Sequence, residues 1–557
     1  WNITKITENH SLNLKTRNLK MGNKRLLFVL NASQEYIKHT GEDAEKYASV
    51  TNYLFDAISE TYLPLLRMLE NLENDAVDFK LSLVLTPVLC TLLDDKEIQD
   101  QYVEWLDKKI EFGKKEINRT AGNPALQAVS KKTFEKYKQD KELFESYKGR
   151  LVRKFYEFRK KGLVEFIATC GTDVFMPFYN DMEEGMSAQV EAGILSYRNF
   201  FGDVPDGFWL PELGYYEGIE KIIKDYGINY TILDSRSFLF SKIEPKNGLF
   251  SPARFTNALV CFGRDYDSDS EIFGEEGYCH DVAYKNIARD VGFVLEPEAL
   301  DPFISKGSIR YALGYSYWNK SLIGEDEAGN ADDCRNLYDF EAAEKKCAEH
   351  ARQFVSAKIE KLNKAASLIP DEDLSDVITI DANELRANWS EGILWLEKVI
   401  REASAQGIET ALPKDIIGNP FKLQRIAPYY GSACKAGYAE ELLSSKNNWM
   451  MRYARKASER MVDLAERFPA ETGLKARLLN LGVKELMFAQ SSGWAKMLNG
   501  EISPEYAEMR FKQSINDFTS VFDALGSNTV STEWLTNLEN AHQIFPWMNY
   551  RIFCRKH

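Results

Sequence analysis

The sequence predicts an α/β fold of parallel strand–helix units, followed by a helical C-terminal region. Short apolar runs rich in β-formers alternate with helical stretches. A polar residue follows nearly every run, and from about Leu423 onward the apolar spacing becomes helical throughout. With 557 residues the chain is too long for one compact core, so two or three domains are expected.

Seven runs have the length and composition of buried strands. They span residues 26–30, 81–85, 164–169, 208–210, 230–233, 259–262 and 377–380. Residues that can hydrogen-bond or carry charge follow six of them: Asn31, Asp173, Glu212, Asp234, Arg264 with Asp265, and Asp381. Each alone could be an ordinary loop or helix-capping residue. Together they indicate one shared mouth, because the carboxyl ends of parallel barrel strands converge.

Two long segments between the runs differ from the rest. Residues 97–161 are charged and helical in spacing, with a break expected between Asn118 and Pro124, and we expect a helical insertion over the barrel mouth. Residues 277–333 are rich in Gly, Asp and Tyr and predict a loop-rich excursion. Residues 1–20 are polar and unpatterned, so a disordered or upstream tail is expected there.

Composition narrows the class of partner. A content of 44% hydrophobic and 28% charged residues is typical of a soluble globular protein, and no apolar run reaches the length of a membrane span. The formal net charge of −14 argues against nucleic acid or an anionic membrane as partner and fits a neutral ligand. The eight cysteines are scattered without a Cys-x-x-Cys pair, and no secretory signal is visible. We therefore expect reduced thiols and a cytoplasmic location.

The most informative stretch is residues 207–216, where a short apolar run ends in Pro211-Glu212. Pro211 cannot donate to a ladder, so the strand should end there and leave Glu212 at its carboxyl edge. Trp209 and Tyr215 flank the carboxylate. Their aromatic faces suit stacking on sugar rings, although the same pattern also fits a buried aromatic turn with an exposed Glu.

Trp209-Leu210-Pro211-Glu212, with Tyr215, resembles the Trp-x-Pro-Glu-x-x-Tyr nucleophile motif of glycoside hydrolase family 57, in its α-1,4-glucan branching enzyme branch. The resemblance extends with gaps from about Lys24 to about Leu525. It implies an incomplete (β/α)7 TIM-like barrel over residues 21–422, including the insertion at 97–161. A C-terminal helical bundle over residues 423–557 and a nucleophilic Glu212 are also implied.

Retaining glycoside chemistry needs a second carboxyl group about 5–5.5 Å from the nucleophile. Asp381 ends the seventh run, where the family also has an Asp, and it is the predicted acid/base. The alternative is that Asp381 caps a helix over residues 384–402. If both assignments hold, the carboxyl groups of Glu212 and Asp381 should lie roughly 5–6 Å apart.

The resemblance also implies a set of substrate-binding residues. Phe262-Gly263-Arg264-Asp265 matches a family segment whose Arg lies at the substrate site, although an ion pair is an equal alternative for Arg264. The predicted substrate-binding residues are Arg264, Asp265, Trp209, Tyr215, Asn31, Ser33, Asp173, Trp389, Tyr430, Gln490 and Trp494.

Several family residues are replaced in this chain. Asn31 and Ser33 stand where the family has a sugar-binding His-x-His, and Asp173 replaces the His of Thr-His-Gly. Tyr430 aligns with a substrate-facing Trp, and Gly493 aligns with an Asp. The added charge of Asp173 should raise the pKa of the neighbouring carboxyl groups. The loss of transition-state hydrogen bonds should slow the chemistry.

Two functions remain open from the sequence. The first is a retaining enzyme of the 1,4-alpha-glucan branching type, acting on α-1,4-glucan by hydrolysis or transfer and needing no cofactor. The second is a weakly active or silent glucan-binding protein on the same fold. A metal-dependent deacetylase or mannosidase is disfavoured because none of the six histidines has a ligand partner at a strand end. We therefore predict no metal at the mouth.

Overall fold

A computed structural model describes residues 22–39, 43, 46–304, 310–321, 335–369, 372–387, 389–434, 436–500 and 503–555. The predicted tail at residues 1–20 lies outside the described residues.

Nine strands form the sheet structure. They are β1 (Lys24–Ala32), β2 (Leu81–Leu85), β3 (Val164–Phe166), β4 (Gly207–Phe208), β5 (Tyr230–Leu233), β6 (Ala253–Arg254), β7 (Val260–Gly263), β8 (Leu374–Asp381) and β9 (Glu409–Thr410). Each of the seven predicted runs overlaps one strand. The two-residue strands β6 and β9 were not predicted, because so short a segment carries no periodic pattern.

Seven of these strands close into a parallel barrel. Neighbours pair in parallel within the order β3-β2-β1-β8 and within β4-β5-β7. Backbone hydrogen bonds join the two halves. At one seam the amide of Ala168 donates to the carbonyl of Gly207 (3.1 Å) and the amide of Trp209 to the carbonyl of Ala168 (2.7 Å); at the other the amide of Asp265 donates to the carbonyl of Val377 (2.7 Å). The predicted (β/α)7 barrel is thereby confirmed, with β6 added antiparallel to β7 and β9 added beside β1.

The side chains of β1 show why these runs form barrel strands. Leu27 and Val29 point into the barrel, where they pack with Trp209, Ile232 and Phe262. Their neighbours Leu26, Phe28 and Leu30 face the surrounding helices and belong to the main core. Because successive strand residues point to opposite faces and both faces are buried, the strand is apolar throughout. The barrel interior is therefore a packed core.

Helices surround the barrel and form the insertion. Their bounds are Ala48–Ala57, Leu63–Asn74, Pro87–Asp94, Lys96–Arg119, Pro124–Ser146, Leu151–Lys160, Glu183–Phe201, Ile219–Asp225, Ser235–Leu239, Asp267–Phe273, Val291–Val294, Pro297–Leu300, Phe340–Leu368, Glu384–Ala387, Gly392–Ala405 and Pro413–Ile416. The predicted helix over residues 384–402 is thus two helices.

The insertion breaks where the sequence predicts. Its first helix ends at Arg119, and Asn123 caps the second by accepting from the amides of Ala125 (3.2 Å) and Leu126 (3.3 Å). Pro124 at the first helical position fits this start, since it has no amide to satisfy.

The C-terminal region is helical. Its helices are Asn448–Arg467, Gly473–Gln490, Ser492–Asn499, Pro504–Ser527 and Thr532–Ala541. The sequence predicts one helix over 474–498, but the chain turns at Ser491, whose backbone is extended. There Ser492 donates to the carbonyl of Asp173 from both its amide (2.8 Å) and its hydroxyl (2.7 Å). This contact docks the helix Ser492–Asn499 onto the loop after β3. Among the described residues, no helix is long and apolar enough to cross a membrane.

Candidate active site

Glu212 sits in a strained turn directly after β4. Pro211 opens a single helical turn, and the backbone of Glu212 is left-handed, with φ 56° and ψ 18°. A non-glycine residue held there costs roughly 1–3 kcal/mol and persists only when its surroundings fix it. The amide of Ala433 fixes it by donating to the Glu212 carbonyl at 2.7 Å. Strain of this kind at a strand end is typical of functional residues.

Both carboxylate oxygens of Glu212 have partners. The ammonium of Lys496 forms an ion pair with Oε1, and the Sγ of Cys434 lies 3.3 Å from Oε2. Burial alone would raise the pKa of Glu212, but the Lys496 charge and its hydrogen bond outweigh burial and hold that pKa below its usual value. Glu212 is therefore ionised at neutral pH, as a nucleophile requires.

Asp381 ends β8 beside Asn31 of β1. Its Oδ1 accepts from the amide of Asn383 at 2.7 Å. Burial and the charge of Glu212 raise the pKa of Asp381, against the opposing effects of Lys496 and of the backbone hydrogen bonds. The two carboxyl groups thus influence each other and are biased in opposite directions. Their separation of roughly 5–6 Å stays a prediction.

A cavity of about 320 Å³ lies at this mouth. Ser33, Glu35, Asp173, Asp381 and Lys496 are among its lining residues. No described residue of the 97–161 insertion lines it. Glu212 is not a lining residue of this cavity, but it is bound by Lys496, which is. We call Glu35, Asp173, Glu212, Asp381 and Lys496 the mouth cluster.

Two further carboxyl groups of the mouth cluster favour the protonated form. Burial, with the charges of Glu212 and Glu35, raises the pKa of Asp173 to about 8. Burial raises the pKa of Glu35 to about 7, although Ser491 donates to its Oε2 at 2.7 Å. The sequence predicts that the charge of Asp173 raises its neighbours' pKa values. In the structure Asp173 itself takes up a proton near neutral pH, and its carboxyl group can then donate a hydrogen bond.

Of the three residues predicted to replace the family histidines, Ser33 and Asp173 line the mouth cavity, whereas Asn31 does not. The carbonyl of Asn31 accepts from Ala382 (2.8 Å), and the carbonyl of Ser33 accepts from Asn383 Nδ2 (2.9 Å). These bonds tie the end of β1 to the segment after β8.

Arg264 and Asp265 are both buried in ion pairs. Arg264 donates to Asp234 at 2.9 Å and also pairs with Asp269, while its charge helps to lower the pKa of Glu212. Asp265 is bound by Lys358 (2.8 Å) and Lys361 (2.6 Å) of the helix Phe340–Leu368. Asp265 does not line the mouth cavity, and its two lysine bonds give it a structural role.

Most of the predicted aromatic contacts are buried instead. Trp209 lies inside the barrel core, Trp389 packs against Trp395, and the indole of Trp494 donates to the carbonyl of Phe488 at 2.8 Å. Tyr215 is likewise buried, beside Phe255. None of these rings lines the cavity, so none presents a free face to a sugar.

Gln490 is also buried. Its Oε1 accepts a hydrogen bond from Gln189 at 2.9 Å, where the C-terminal helices meet the helix Glu183–Phe201.

Tyr430 differs from the buried residues. It stacks on Tyr438 with ring centroids 6.0 Å apart, and both line a second cavity of about 250 Å³ with Phe240 and Tyr429. Phe240, Tyr429 and Tyr438 are exposed.

Sequence reasoning missed Lys496, Glu35 and Cys434. Charged residues on short helices and loops usually face water, so nothing in the sequence marked Lys496 or Glu35 as a site residue. Their only link to the predicted site is that Lys496 is close in sequence to Gly493, and Glu35 to Ser33. Cys434 was not among the predicted site residues, although its thiol lies beside Glu212. Cys434, Glu212 and Glu441 place potential ligand atoms within 4.8 Å of one another. We assign no metal there, because the Lys496 ammonium on Glu212 opposes a second cation.

Comparison with known proteins supports the family seen in these motifs. A family model described as glycosyl hydrolase family 57 matches residues 27–278, and one described as 1,4-alpha-glucan branching enzyme, C-terminal, matches residues 453–553. A 1,4-alpha-glucan branching enzyme of Thermococcus kodakarensis is 24% identical over 521 residues, which cover 88% of this chain and 72% of that protein. A probable 1,4-alpha-glucan branching enzyme of Mycobacterium tuberculosis is 21% identical, covering 86% and 88%.

Solved structures agree over nearly the whole chain. The alpha-amylase AmyC from Thermotoga maritima superposes with a TM-score of 0.86 and 27% identity, covering 96% of this chain and 100% of its own. The branching enzyme of glycoside hydrolase family 57 from Pyrococcus horikoshii gives 0.83 and 24%, covering 96% and 97%. The two family models together match more than half of the chain, on the barrel and on the C-terminal helices. The chain is therefore similar to the branching enzymes of glycosyl hydrolase family 57 over both its barrel and its C-terminal helices.

Proposed function

We propose that this protein acts on α-1,4-glucan by retaining double displacement, as a 1,4-alpha-glucan branching enzyme or a close relative of one. Glu212 is the proposed nucleophile and Asp381 the proposed acid/base. The observation that carries the proposal is the opposite bias of these two groups at one mouth. Lys496 keeps Glu212 ionised, while burial and the charge of Glu212 favour the protonated form of Asp381.

The reaction needs this asymmetry. Ionised Glu212 attacks the anomeric carbon while Asp381 gives its proton to the leaving glucan oxygen, so that a glycosyl–enzyme ester forms. Asp381, now a carboxylate, then takes the proton of an incoming hydroxyl, which displaces Glu212. A glucan hydroxyl gives transfer and water gives hydrolysis. The similar proteins carry names of both kinds, branching enzyme and alpha-amylase.

The proposed substrate contacts follow from the surfaces around the pair. Ser33 and protonated Asp173 line the cavity and offer hydrogen bonds to a sugar there. Asn31, which pairs with Asp381 across β1 and β8, is proposed as a further contact. Tyr430 and Tyr438 offer stacked aromatic faces in the neighbouring cavity, a surface suited to further glucose units. A neutral glucan also suits the net charge of −14.

The remaining parts of the proposal concern organisation. We propose a barrel domain over residues 21–422 and a helical domain over 423–557. We also propose a cytoplasmic location, which is consistent with the free thiols of all seven cysteines that the structure describes. No cofactor is included in the proposed mechanism.

A weakly active or silent glucan-binding protein is the second candidate. One observation favours it: both oxygens of Glu212 are occupied, by Lys496 and by Cys434, while carboxyl groups surround the mouth. Transition-state stabilisation would then fall much more than glucan binding.

The test incubates the purified protein with amylose and counts α-1,6 branches after debranching, with reducing ends measured in parallel. We expect glucan binding and slow branching, below about 1 per second, that E212Q abolishes. Reducing ends without new branches would make the protein a hydrolase. Binding without any turnover sensitive to E212Q would establish the second candidate, and absence of glucan binding would refute both.

A further inference from the structure

Glu212 is held by two donors that come from distant parts of the chain. Lys496, on the C-terminal helix Ser492–Asn499, pairs with Oε1, and Cys434, in the segment after β9, faces Oε2 at 3.3 Å. We propose that Lys496 is a positioning residue for Glu212: with Cys434 it clamps the carboxylate, keeps it ionised and fixes its orientation. The inference rests on the proposed function only for its catalytic consequence.

The clamp depends on how the C-terminal helix is docked. Ser492 binds the Asp173 carbonyl through its amide and hydroxyl, and Trp494 anchors the next turn in the core. These contacts fix the helix, so that Lys496, one helical turn after Ser492, is directed at Glu212. The Lys496 side chain is 39% exposed and that of Glu212 only 17%, so the ammonium reaches the carboxylate from the cavity side.

The charges around Glu212 make Lys496 hard to replace. The ionisable groups that face or influence Glu212 are Lys496, Cys434, Arg264, Asp173, Asp381, Glu384 and Glu441. Most of them are acids. Arg264 is already paired with Asp234 and Asp269, so its charge is largely committed. Without Lys496, Glu212 would lie among acids with little compensation and would take up a proton.

A protonated Glu212 cannot serve as the nucleophile. The clamp therefore links the C-terminal helical region to the chemistry at the barrel mouth through one side chain. Cys434 plays the lesser part, because a thiol is a weak donor. Its raised pKa, due to burial and to Glu212, keeps the proton on sulfur, where it can point at Oε2.

The first test needs no enzyme activity. The melting temperatures of the full chain, K496M, E212Q and K496M/E212Q are measured at pH 7 and at pH 4.5, with K496R as the conservative control. We expect K496M to lower Tm at pH 7 by about 2 °C or more, a modest shift because the pair is partly exposed. The loss should nearly vanish in the E212Q background and should be largely absent in K496R.

The pH dependence gives the second readout of the same cycle. Without Lys496 the folded-state pKa of Glu212 rises, so protonation relieves the uncompensated charge as the pH falls. The Tm deficit of K496M should therefore shrink from pH 7 to pH 4.5. Equal losses with and without Glu212, independent of pH, would show that Lys496 is a structural residue and would overturn the clamp.

A second experiment measures kcat/KM for branching as a function of pH. K496M should move the acidic limb to higher pH, whereas K496R should keep it within about half a pH unit of wild type. An unshifted limb in K496M would overturn the positioning role. If wild type shows no turnover, the proposed activity fails, and the thermal cycle still decides whether the clamp exists.

Discussion

Two clusters of buried charge lie close to the carboxyl ends of neighbouring barrel strands, and their central carboxylates differ in how many cations bind them. Beyond β7, Asp265 is bound by Lys358 and Lys361, and we call these three residues the outer cluster. The mouth cluster has one ammonium, Lys496, among four carboxyl groups. Both clusters are partly or fully removed from water, so the number of cations bound to each carboxylate decides whether that carboxylate stays ionised.

The difference separates a structural ion cluster from a reactive one. In the outer cluster, burial is outweighed by the two lysines, which hold the pKa of Asp265 well below its usual range. In the mouth cluster a single lysine lowers the pKa of Glu212, while the pKa values of Asp173 and Glu35 rise to about 8 and about 7. Buried carboxyl groups without a bound cation exchange protons near neutral pH, as acid/base chemistry requires. One such group also lies beside the outer cluster, where burial and the charge of Asp265 raise the pKa of Asp376 to about 7.

The sharpest test of this comparison is the acid/base residue itself. We expect D381N to lower branching turnover by about 10³-fold or more, because the leaving oxygen loses its proton donor. Its Tm should stay within about 2 °C of wild type, because the substitution removes an unfavourably buried acid. Turnover is measured with amylose and Tm by calorimetry. Full activity in D381N would mean that another mouth carboxyl group is the acid.

The opposite outcome is expected for the outer cluster. D265N should destabilise the protein by about 3–5 kcal/mol in urea unfolding, because it removes the main partner of Lys358, whose side chain is wholly buried. Glu271, 2.9 Å from Lys358, limits the loss. D267N is the matched control: Asp267 pairs with Lys361 but is 66% exposed, so about 1 kcal/mol or less is expected. Equal effects of the two substitutions would remove the structural role assigned to Asp265.

The mouth cluster should also change how the free energy of unfolding depends on pH. The pKa of Asp173 is about 8 in the folded protein and near 4 when unfolded, so the folded state binds the extra proton between these values. Stability therefore falls as pH rises from about 5 to 8, by at most about 1.4 kcal/mol per pH unit for one proton. D173N should flatten this slope in urea unfolding at each pH. Parallel curves for the two proteins would contradict the raised pKa.

The sequence predicted the barrel well because its evidence is local. Each of the seven barrel strands falls in a short apolar run, six of these runs are followed by a polar or charged residue, and Glu212 lies in a motif of seven residues. The partners of Glu212 are not local: Lys496 and Cys434 lie 284 and 222 positions away, and docking of separate elements sets both contacts. Likewise, the sequence around Trp389 and Trp494 does not show which distant elements bury their rings. The break at Ser491 also depends on such docking, at the Asp173 carbonyl.

The smallest expected effect concerns the space that the mouth cluster needs. A Cβ added at Gly493 would lie 1.7 Å from Oε1 of Glu35, so Glu35 occupies the volume of a side chain at position 493. G493A should therefore displace the Glu35 carboxylate from Ser491 and cost about 1–3 kcal/mol in urea unfolding. The control is G526A, in the helix Pro504–Ser527, where an added Cβ meets nothing within 4 Å. That substitution should stabilise the protein by roughly 0.5–1 kcal/mol.

The double variant E35A/G493A decides whether the cost comes from this contact. With the Glu35 carboxylate removed, the added methyl group has room, so G493A should cost less than about 0.5 kcal/mol in the E35A background. The Glu35 side chain is flexible, so a small loss in G493A alone would mean that it swings aside. A loss that persists in E35A would place the strain in the backbone at the start of the helix Ser492–Asn499. In that case the contact between Glu35 and Gly493 would not determine the shape of this side of the mouth.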